Sequence, residues 1–389
     1  MTKQIILLVH QAAEMYGSDK VLLILAKGLA DGSRFTPLVV LPEEGPLLDA
    51  LREEGIEVHI GEVAKISRAI FGVRGFFSLL AKAGRSVRRL DEIVGGREIA
   101  VVHSNTLAVL SGALWARLRR RKHLWHVHEI ILSPRIVSKA FPRLVRLLSD
   151  RAVSNSTLTE RWLLSEQPDL KRKSRVVFNG LPEQEEVAHE AVEQFRRNIA
   201  PGNELVISIV GRISRWKGHE LLVNAVSLLK KSHPDLEFKV AVVGSPAPGL
   251  EHLPDLLKEK IELLGLTSHF IFVPFVADVR PVWLSTDIAV VPSTDPEPFG
   301  MVAIEAMAAG IPVVAAAHGG LLDIVIDQET GLLFKPSDAE ALSSALAKLA
   351  LDDVFRKYLG KNGLKRQRDV FSASAFVTGM EEAYQELGQ

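Results

Sequence analysis

The chain has 389 residues, 47 lysines and arginines against 47 aspartates and glutamates, and no cysteine. A chain of this length exceeds what one hydrophobic core usually supports, so we expect two domains. The composition excludes a disulfide scaffold and cysteine-ligated metal, which fits a cytoplasmic protein. No apolar run is long enough to cross a bilayer.

Short apolar runs recur through the first half of the chain, separated by longer segments, as in a parallel sheet covered by helices on both faces. The first run is too short for a secretory signal, and we predict that it is a strand. The predicted strands are Ile5–Val9, Leu38–Leu41, Val58–Ile60, Ile99–Val102, Leu124–Val127, Ala152–Ser154 and Val176–Phe178.

Ligands of such sheets bind beyond the carboxyl ends of the strands, so the polar residues there are site candidates. They are Tyr16-Gly17-Ser18, His103-Ser104-Asn105, His128-Glu129, Asn155-Ser156 and Asn179-Gly180. The segment Val9–Lys20 lacks the G-x-G-x-x-G fingerprint, and the chain has no G-x-x-x-x-G-K-[ST] motif. Dinucleotide and P-loop chemistry are therefore not favoured.

Positive charge is concentrated in the first half, where residues 1–182 carry ten more basic than acidic residues, and residues 183–389 carry the opposite excess. Lys65–Leu90 holds seven basic residues and no acid, interleaved with apolar ones. Such a segment can lie on an anionic membrane surface, or its apolar side can pack on its own sheet. Further basic residues at 117–122 and 135–146 favour peripheral membrane contact.

A linker is expected over Leu181–Asn203, which contains Pro182, several acids and Pro201-Gly202. A second series of apolar runs follows, which predicts a second doubly wound domain facing the first across a cleft. We predict a final helix over Ala373–Leu387. The second series of strands is predicted at Leu205–Val210, Phe238–Val243, Phe270–Val273, Ile288–Val291, Pro312–Ala315 and Leu332–Phe334, with helices near Lys217–Lys230 and Asp338–Leu349.

Two stretches of the second half carry candidate chemistry. Arg212 and Lys217, in Gly211-Arg212-Ile213-Ser214-Arg215-Trp216-Lys217-Gly218, follow a strand and can aim two cations at a diphosphate, or simply solvate the surface. In Ser293–Ala317 a helix is predicted to begin close to Gly300, and its first amides form an anion or hydroxyl site. Glu297 lies before that helix and Glu305 within it; each alone is better explained as a helix-terminus acid or a solvent-facing side chain.

The spacing of Glu297 and Glu305, together with the Pro-Phe-Gly between them and the Ala-Gly-Ile-Pro-Val-Val that follows, resembles the E-x7-E signature of family 4 retaining glycosyltransferases. The resemblance extends over nearly the whole chain and is strongest from Val206 to Lys335. It implies the GT-B fold, with two Rossmann-like domains: residues 1–182 on the acceptor side, residues 183–372 on the donor side, and residues 373–389 as the returning helix.

The resemblance also implies roles for individual residues. Glu297 and the helix-start residues Phe299, Gly300, Met301 and Val302 would hold the hydroxyls of the donor sugar, and Glu305 would hold the ribose. Arg212 and Lys217, within a G-R-x-x-x-x-K-G element, would bind the diphosphate. His128, in His-Val-His-Glu, would approach the donor sugar, although a single strand-end histidine is usually structural. Gly17 and Ser18 lie in the loop near the donor, where the sequence departs from the family's two glycines and Glu-Arg.

The implied activity is retaining, metal-independent transfer of a sugar from a nucleotide diphosphate to a hydroxyl of a glycan or lipid-linked glycan. No further cofactor is expected, since the chain has no D-x-D pair. The HSNT and HVHE segments resemble those of mannosyl- and rhamnosyl-type enzymes, and this resemblance implies such a donor, with GDP as the carrier, in bacterial surface polysaccharide or lipopolysaccharide synthesis. The alternatives are a sugar-nucleotide epimerase or hydrolase and a non-catalytic carbohydrate-binding relative. Nucleic-acid binding is least favoured, because no recognition motif is present.

Overall fold

The computed structural model describes residues 3–65, 73–131 and 134–388. The chain divides into two compact units, Met1–Pro182 with Ser372–Gln389, and Glu183–Phe371. Each contains a parallel sheet with helices packed on it, so the Rossmann-like architecture predicted from the buried apolar runs is confirmed.

The described part of the N-terminal unit has a seven-stranded parallel sheet in the order β3-β2-β1-β4-β5-β6-β7. Its strands are β1 (Gln4–His10), β2 (Phe35–Leu41), β3 (Glu57–Ile60), β4 (Ile99–Asn105), β5 (Lys122–Val127), β6 (Arg151–Ser154) and β7 (Ser174–Val176). Its helices are α1 (Gly17–Ala30), α2 (Pro46–Glu53), α3 (Val73–Val94), α4 (Ser111–Arg119), α5 (Arg135–Leu148), α6 (Thr157–Glu166) and, from the end of the chain, α15 (Ala373–Gly388).

The last strand of this sheet begins and ends earlier than the predicted Val176–Phe178. β7 pairs with β6 over Ser174–Val176, and only one further backbone bond, from Val177 N to Ser154 O at 3.0 Å, extends the pairing. Beyond it the chain turns away, and Gly180 packs on the backbone of Ser372, where a Cβ would lie 2.1 Å from the carbonyl oxygen. The apolar pattern predicted the strand, while its end is set by this contact.

The C-terminal unit has a six-stranded parallel sheet in the order β10-β9-β8-β11-β12-β13, and its strands lie within one residue of the predicted bounds. They are β8 (Leu205–Val210), β9 (Phe238–Val243), β10 (Phe270–Val273), β11 (Ile288–Val291), β12 (Val313–Ala316) and β13 (Gly331–Phe334). The helices are α7 (His189–Ile199), α8 (His219–Ser232), α9 (Leu253–Leu263), α10 (Arg280–Leu284), α11 (Met301–Ala308), α12 (Leu321–Ile324), α13 (Ala339–Leu351) and α14 (Asp353–Val370).

The prediction of a linker over Leu181–Asn203 is wrong for eleven of its residues, because they form helix α7. Ile199 is buried, and Arg196 donates hydrogen bonds to the Asp287 carboxylate and to the carbonyls of Ser285 and Glu204, each at 2.8 Å. The acids and the flanking prolines of this segment concealed the apolar spacing of Val192, Phe195 and Ile199.

The basic segment Lys65–Leu90 falls partly on residues 66–72, which lie outside the described residues. The following helix α3 packs its apolar side on its own sheet: Ala83, Val87 and Leu90 are buried, the last two in a cluster with Leu7 and Val40. Arg85 is paired with Glu62 at 2.7 Å. This packing accounts for the described apolar side, so the expected membrane contact has no support there. None of the described helices is both long and apolar enough to cross a membrane.

Candidate functional site

The loop after β8 carries the two predicted cations. Arg212 is exposed directly after the strand. Lys217 ends a short 3-10 turn, Arg215–Lys217, and Gly218 then adopts φ of 78°. A Cβ on Gly218 would lie 1.8 Å from the carbonyl oxygen of Pro292, so only glycine lets this turn pack on the chain that leaves β11. That close approach brings Lys217 next to the segment containing Glu297.

Lys217, Ser293 and Glu297 form a polar cluster, which we call the donor cluster; Ser293 and Glu297 are buried and Lys217 is half-buried. The Lys217 ammonium lies 2.7 Å from Glu297 Oε1, and the Ser293 hydroxyl donates to the same oxygen at 2.6 Å. Glu297 is only 5% exposed. A carboxylate at this depth needs donors, and here it has a cation and a hydroxyl.

Backbone contacts hold the donor cluster from several sides. Thr294 N donates to Trp216 O at 2.7 Å, and Gly320 N donates to Glu297 O at 2.8 Å. His318 Nε2 lies 2.7 Å from Ser293 O, which can only accept, so this nitrogen carries the proton. Lys217 Nζ also lies 4.4 Å from the centre of the Trp216 ring, within cation–π range. These contacts restrain the side chains of Lys217 and Glu297.

Helix α11 begins at Met301, four residues after Glu297. Gly300 is its N-cap with φ of 119°, a conformation that residues with a side chain rarely adopt. Phe299 is buried and meets Phe371 edge-on at 6.0 Å between ring centres. Met301 and Val302, in the first turn, and Glu305, one turn later, are half-buried. The positive end of the helix dipole thus lies close in sequence to the Glu297 carboxylate.

In the N-terminal unit, His128 follows β5 and is 8% exposed. Its Nε2 lies 2.8 Å from Asn105 Oδ1. Burial, reinforced by the nearby His10, lowers the pKa of His128 to about 3, so its ring is neutral at physiological pH. Gly17 and Ser18 open helix α1, and the Asp19 carboxylate accepts a bond from Tyr16 N at 3.0 Å at that helix start.

The sheet beneath His128 carries further buried histidines. His103 Nδ1 shares a 2.6 Å hydrogen bond with the Tyr384 hydroxyl of α15, and the His126 and His128 rings lie 3.9 Å apart. Beside them, burial raises the pKa of Glu129 to about 7, although its carboxylate accepts bonds from Leu107 N and His128 N. The rings of His103, His126 and His128 are therefore neutral at neutral pH, while Glu129 is only partly ionised.

Some of the predicted site residues contact each other, and others belong to different units of the chain. Lys217 and Glu297, which were predicted to bind different parts of a donor, contact each other. Arg212 and the residues Phe299, Gly300, Met301, Val302 and Glu305 belong to the same C-terminal unit, while Gly17, Ser18 and His128 belong to the N-terminal one.

Sequence reasoning did not single out Ser293 or His318, nor His10 and Asp19 of the N-terminal unit. Ser293 lies four residues before Glu297, and His10 is the last residue of a buried strand. Both residues lie at the carboxyl end of a predicted strand, where ligands of parallel sheets bind, so the sequence could have indicated them. Among the described residues, no group of three or more His, Cys, Asp or Glu side chains could hold a metal ion.

Two family models together match most of the chain. A model described as Glycosyltransferase Family 4 matches residues 16–185, and one described as Glycosyl transferases group 1 matches residues 191–366. A D-inositol 3-phosphate glycosyltransferase of Corynebacterium glutamicum is 36% identical over 201 residues, 50% of this chain and 46% of that protein. The chain spans about half the length of the curated relatives it matches.

Solved structures match over nearly full length. HepE of Anabaena, in complex with UDP and glucose, is 25% identical with a TM-score of 0.81, covering 98% of this chain and 99% of that one. A glycosyltransferase of Rickettsia africae is 22% identical with a TM-score of 0.84, covering 100% and 99%. The two sheets and these matches define a GT-B protein. The chain belongs to the glycosyltransferases, with a Family 4 domain followed by a group 1 domain.

Proposed function

We propose that this glycosyltransferase moves a sugar from a nucleotide diphosphate to an acceptor hydroxyl with retention of configuration and without a metal ion. The observation that carries the proposal is the donor cluster, in which the Lys217 ammonium and the Glu297 carboxylate are held together beside the start of α11. Cations suit a departing diphosphate, and an acceptor-only carboxylate suits sugar hydroxyls.

In the proposed reaction Lys217 and Arg212 stabilise the diphosphate as its negative charge develops, and the start of α11 adds its dipole. The ammonium has three N–H donors, so Lys217 can keep Glu297 while it binds a phosphate oxygen. Glu297 orients the sugar through its hydroxyls, Glu305 binds the ribose, and a phosphate oxygen of the donor receives the acceptor's proton. His128 acts at the sugar from the N-terminal unit, near Gly17 and Ser18.

The carrier nucleotide is proposed as UDP before GDP, because the Anabaena protein was solved with UDP and with UDP-glucose. The expected mannose- or rhamnose-type donor and the role in lipopolysaccharide synthesis are not supported by the names of the Corynebacterium relatives, which are D-inositol 3-phosphate glycosyltransferases. The lipopolysaccharide enzyme WaaG, at 15% identity, supports the fold alone.

The first test combines a thermal-shift screen with a transfer assay. UDP, GDP, ADP and dTDP are compared at one concentration, since a ligand that binds only the native state raises the melting temperature by mass action. Sugars on the carrier so identified are then offered with glycan, lipid-linked and inositol phosphate acceptors. Transfer with a retained anomeric configuration supports the proposal. Epimerisation or hydrolysis without transfer would select the alternative enzyme class, and binding without turnover would select a carbohydrate-binding protein.

The two glutamates are expected to respond differently to replacement by glutamine. Because ribose is held in the ground and transition states alike, Glu305→Gln should weaken binding of the free nucleoside diphosphate by roughly tenfold to a hundredfold. Glu297→Gln should leave that affinity nearly unchanged and lower kcat instead. Isothermal calorimetry with the free nucleotide distinguishes them, with the exposed Glu340→Gln as the control. Equal losses in both variants would contradict the assignment of ribose and sugar ends.

A further inference from the structure

A continuous chain of buried hydrogen bonds links helix α1 to His128 within the N-terminal unit. Asp19 Oδ1 lies 2.6 Å from His10 Nε2, His10 Nδ1 lies 3.0 Å from Asn105 Nδ2, and Asn105 Oδ1 lies 2.8 Å from His128 Nε2. These four side chains are between 0% and 8% exposed. We infer that Asn105 is a positioning residue, which fixes the tautomer of His128 and ties that ring to the Tyr16–Ser18 turn.

The orientation of the Asn105 amide follows from a partner that can only accept. Its Nδ2 lies 3.3 Å from the backbone carbonyl of Ser18, which has no proton to give. The atom at that position is therefore the nitrogen, and Oδ1 is turned toward His128. An amide oxygen can only accept, so His128 Nε2 must carry the ring proton. The neutral His128 ring then keeps its lone pair on Nδ1.

The protonated nitrogen of His10, at the other end of this series of hydrogen bonds, follows by the same reasoning. The second N–H of Asn105 is donated to His10 Nδ1, which must then be unprotonated. His10 Nε2 consequently carries the proton and donates it to the Asp19 carboxylate. Nδ1 also lies 3.3 Å from the Asn105 backbone oxygen, but that longer contact requires a proton on Nδ1. The two N–H groups and the oxygen of the Asn105 side chain thus have one partner each.

The hydrogen bonds from Asp19 to His128 connect two regions that have roles in the proposed function, namely the start of α1 and the His128 ring. Asp19 also accepts from Tyr16 N, and Asn105 holds the Ser18 carbonyl, so the start of α1 and the His128 ring share one bridging amide. Resting on the proposed function, this deepens it: His128 serves as a neutral hydrogen-bond acceptor through Nδ1, matched to a hydroxyl of the sugar substrates. Without the amide, the ring could rotate or change tautomer.

The tautomer is measured without substrate. In the full chain labelled with 15N-histidine, long-range proton–nitrogen correlation spectra distinguish the two neutral forms, and His128 is assigned from its loss in His128→Gln. We expect the Nε2–H form of His128 in the wild type and a mixture of tautomers in Asn105→Leu. The control is Asn155→Leu, because the Asn155 side chain is also buried at this sheet edge but reaches His128 only at its backbone carbonyl oxygen, while its Oδ1 accepts a bond from the Thr159 hydroxyl at 3.0 Å. It should retain the Nε2–H form.

Kinetics test the functional consequence. Asn105→Leu should lower kcat by about tenfold to a hundredfold with little change in the donor KM, as expected for a displaced or misoriented catalytic group. Asn105→Asp retains the acceptor toward His128 while losing both donors. It should therefore keep the His128 tautomer and retain more activity than Asn105→Leu.

Several results would overturn the inference. They are a proton on His128 Nδ1 in the wild type, an unchanged tautomer in Asn105→Leu, and a changed tautomer with unchanged kcat. A wild-type chain that transfers no sugar would instead refute the proposed function, while the spectra would still decide whether Asn105 fixes the ring.

Discussion

Replacing Lys217 by methionine is expected to lower kcat/KM for sugar transfer by about a hundredfold to a thousandfold. A pre-positioned donor to a developing negative charge contributes on this scale, because it costs no reorganisation at the moment of reaction. Lys217 meets this condition, since Glu297 and the Trp216 ring hold its ammonium in place. Steady-state kinetics over a range of donor concentrations measure the effect.

The matched control for this variant is Arg215→Ala. Arg215 is an exposed cation two residues earlier in the same 3-10 turn, so its removal changes the local charge equally. It should leave kcat/KM within about twofold, the range expected for a screened surface charge. A comparable loss in both variants would mean that general positive charge, and not the position of Lys217, is what the reaction needs.

Stability separates the two functions of Lys217. Its removal leaves the buried Glu297 carboxylate with Ser293 as its remaining side-chain partner in the donor cluster, so Lys217→Met should lower the free energy of unfolding by about 1–3 kcal/mol. Lys217→Met combined with Glu297→Gln should recover most of that stability, because the buried charge is gone, but none of the activity. Chemical denaturation of the four proteins completes the cycle. Recovery of turnover in the double variant would contradict a direct role for the ammonium.

The sheets were predictable because buried strands are continuous apolar runs, and Phe238–Val243 and Ile288–Val291 have no other reasonable explanation. Helix α7 was missed because only a narrow apolar face of it packs on the C-terminal unit. Ile199 is buried, whereas Val192 and Phe195 are only half-buried. A few apolar positions among acids and near prolines are a weak signal in one sequence.

The donor cluster could be predicted in composition but not in geometry. The E-x7-E spacing and the G-R-x-x-x-x-K-G element identified Glu297 and Lys217, yet eighty residues separate them. Their contact depends on Gly218 packing on Pro292, which no local pattern indicates. The series of hydrogen bonds from Asp19 to His128 was missed for the same reason. Its residues come from β1, α1, β4 and the end of β5, and they meet only in the parallel sheet.

The N-terminal unit is expected to lose stability steeply as the pH falls from 6.5 to 4. Burial lowers the pKa of His123 to about 4 and of His128 to about 3, and it holds the pKa values of His103 and His126 well below 6.5. These rings stay neutral in the folded state, while the unfolded chain takes up protons below pH 6.5. Each such group costs up to about 1.4 kcal/mol per pH unit.

Glu129 opposes this trend with a single proton. Its pKa, raised to about 7 in the folded state, means that the native form takes up a proton before the unfolded form does, so stability rises as the pH falls from 7 to 4.5. Four histidines outweigh one carboxyl, so the free energy of unfolding is expected to fall as the pH is lowered toward 5. Hydrogen exchange at pH 7.5, 6 and 5, corrected for intrinsic rates, should show protection falling first in residues 3–182. Protection lost equally from the C-terminal unit would contradict this expectation.

His123 and His126 of β5 are a matched pair for testing how buried histidines affect the stability of the N-terminal unit. His123 Nδ1 lies 2.9 Å from Leu148 O and its Nε2 lies 3.0 Å from Ser104 Oγ, whereas neither nitrogen of His126 has a hydrogen-bond partner among the described residues. Both rings are buried. His126→Leu should therefore raise the free energy of unfolding at pH 7.5 by about 1–3 kcal/mol, because an unsatisfied polar group is removed from the interior.

His123→Leu should lower the free energy of unfolding by a similar amount, since it leaves the Leu148 carbonyl and the Ser104 hydroxyl without that partner. Both substitutions remove one titrating ring, so each should flatten the pH dependence by about 1.4 kcal/mol per pH unit near pH 5. Urea unfolding of the two variants at pH 7.5 and 5 measures both quantities. Destabilisation of His126→Leu equal to that of His123→Leu would mean that the His126 nitrogens have partners. A pH dependence that neither substitution changes would mean that these buried rings are not what makes the sheet sensitive to acid.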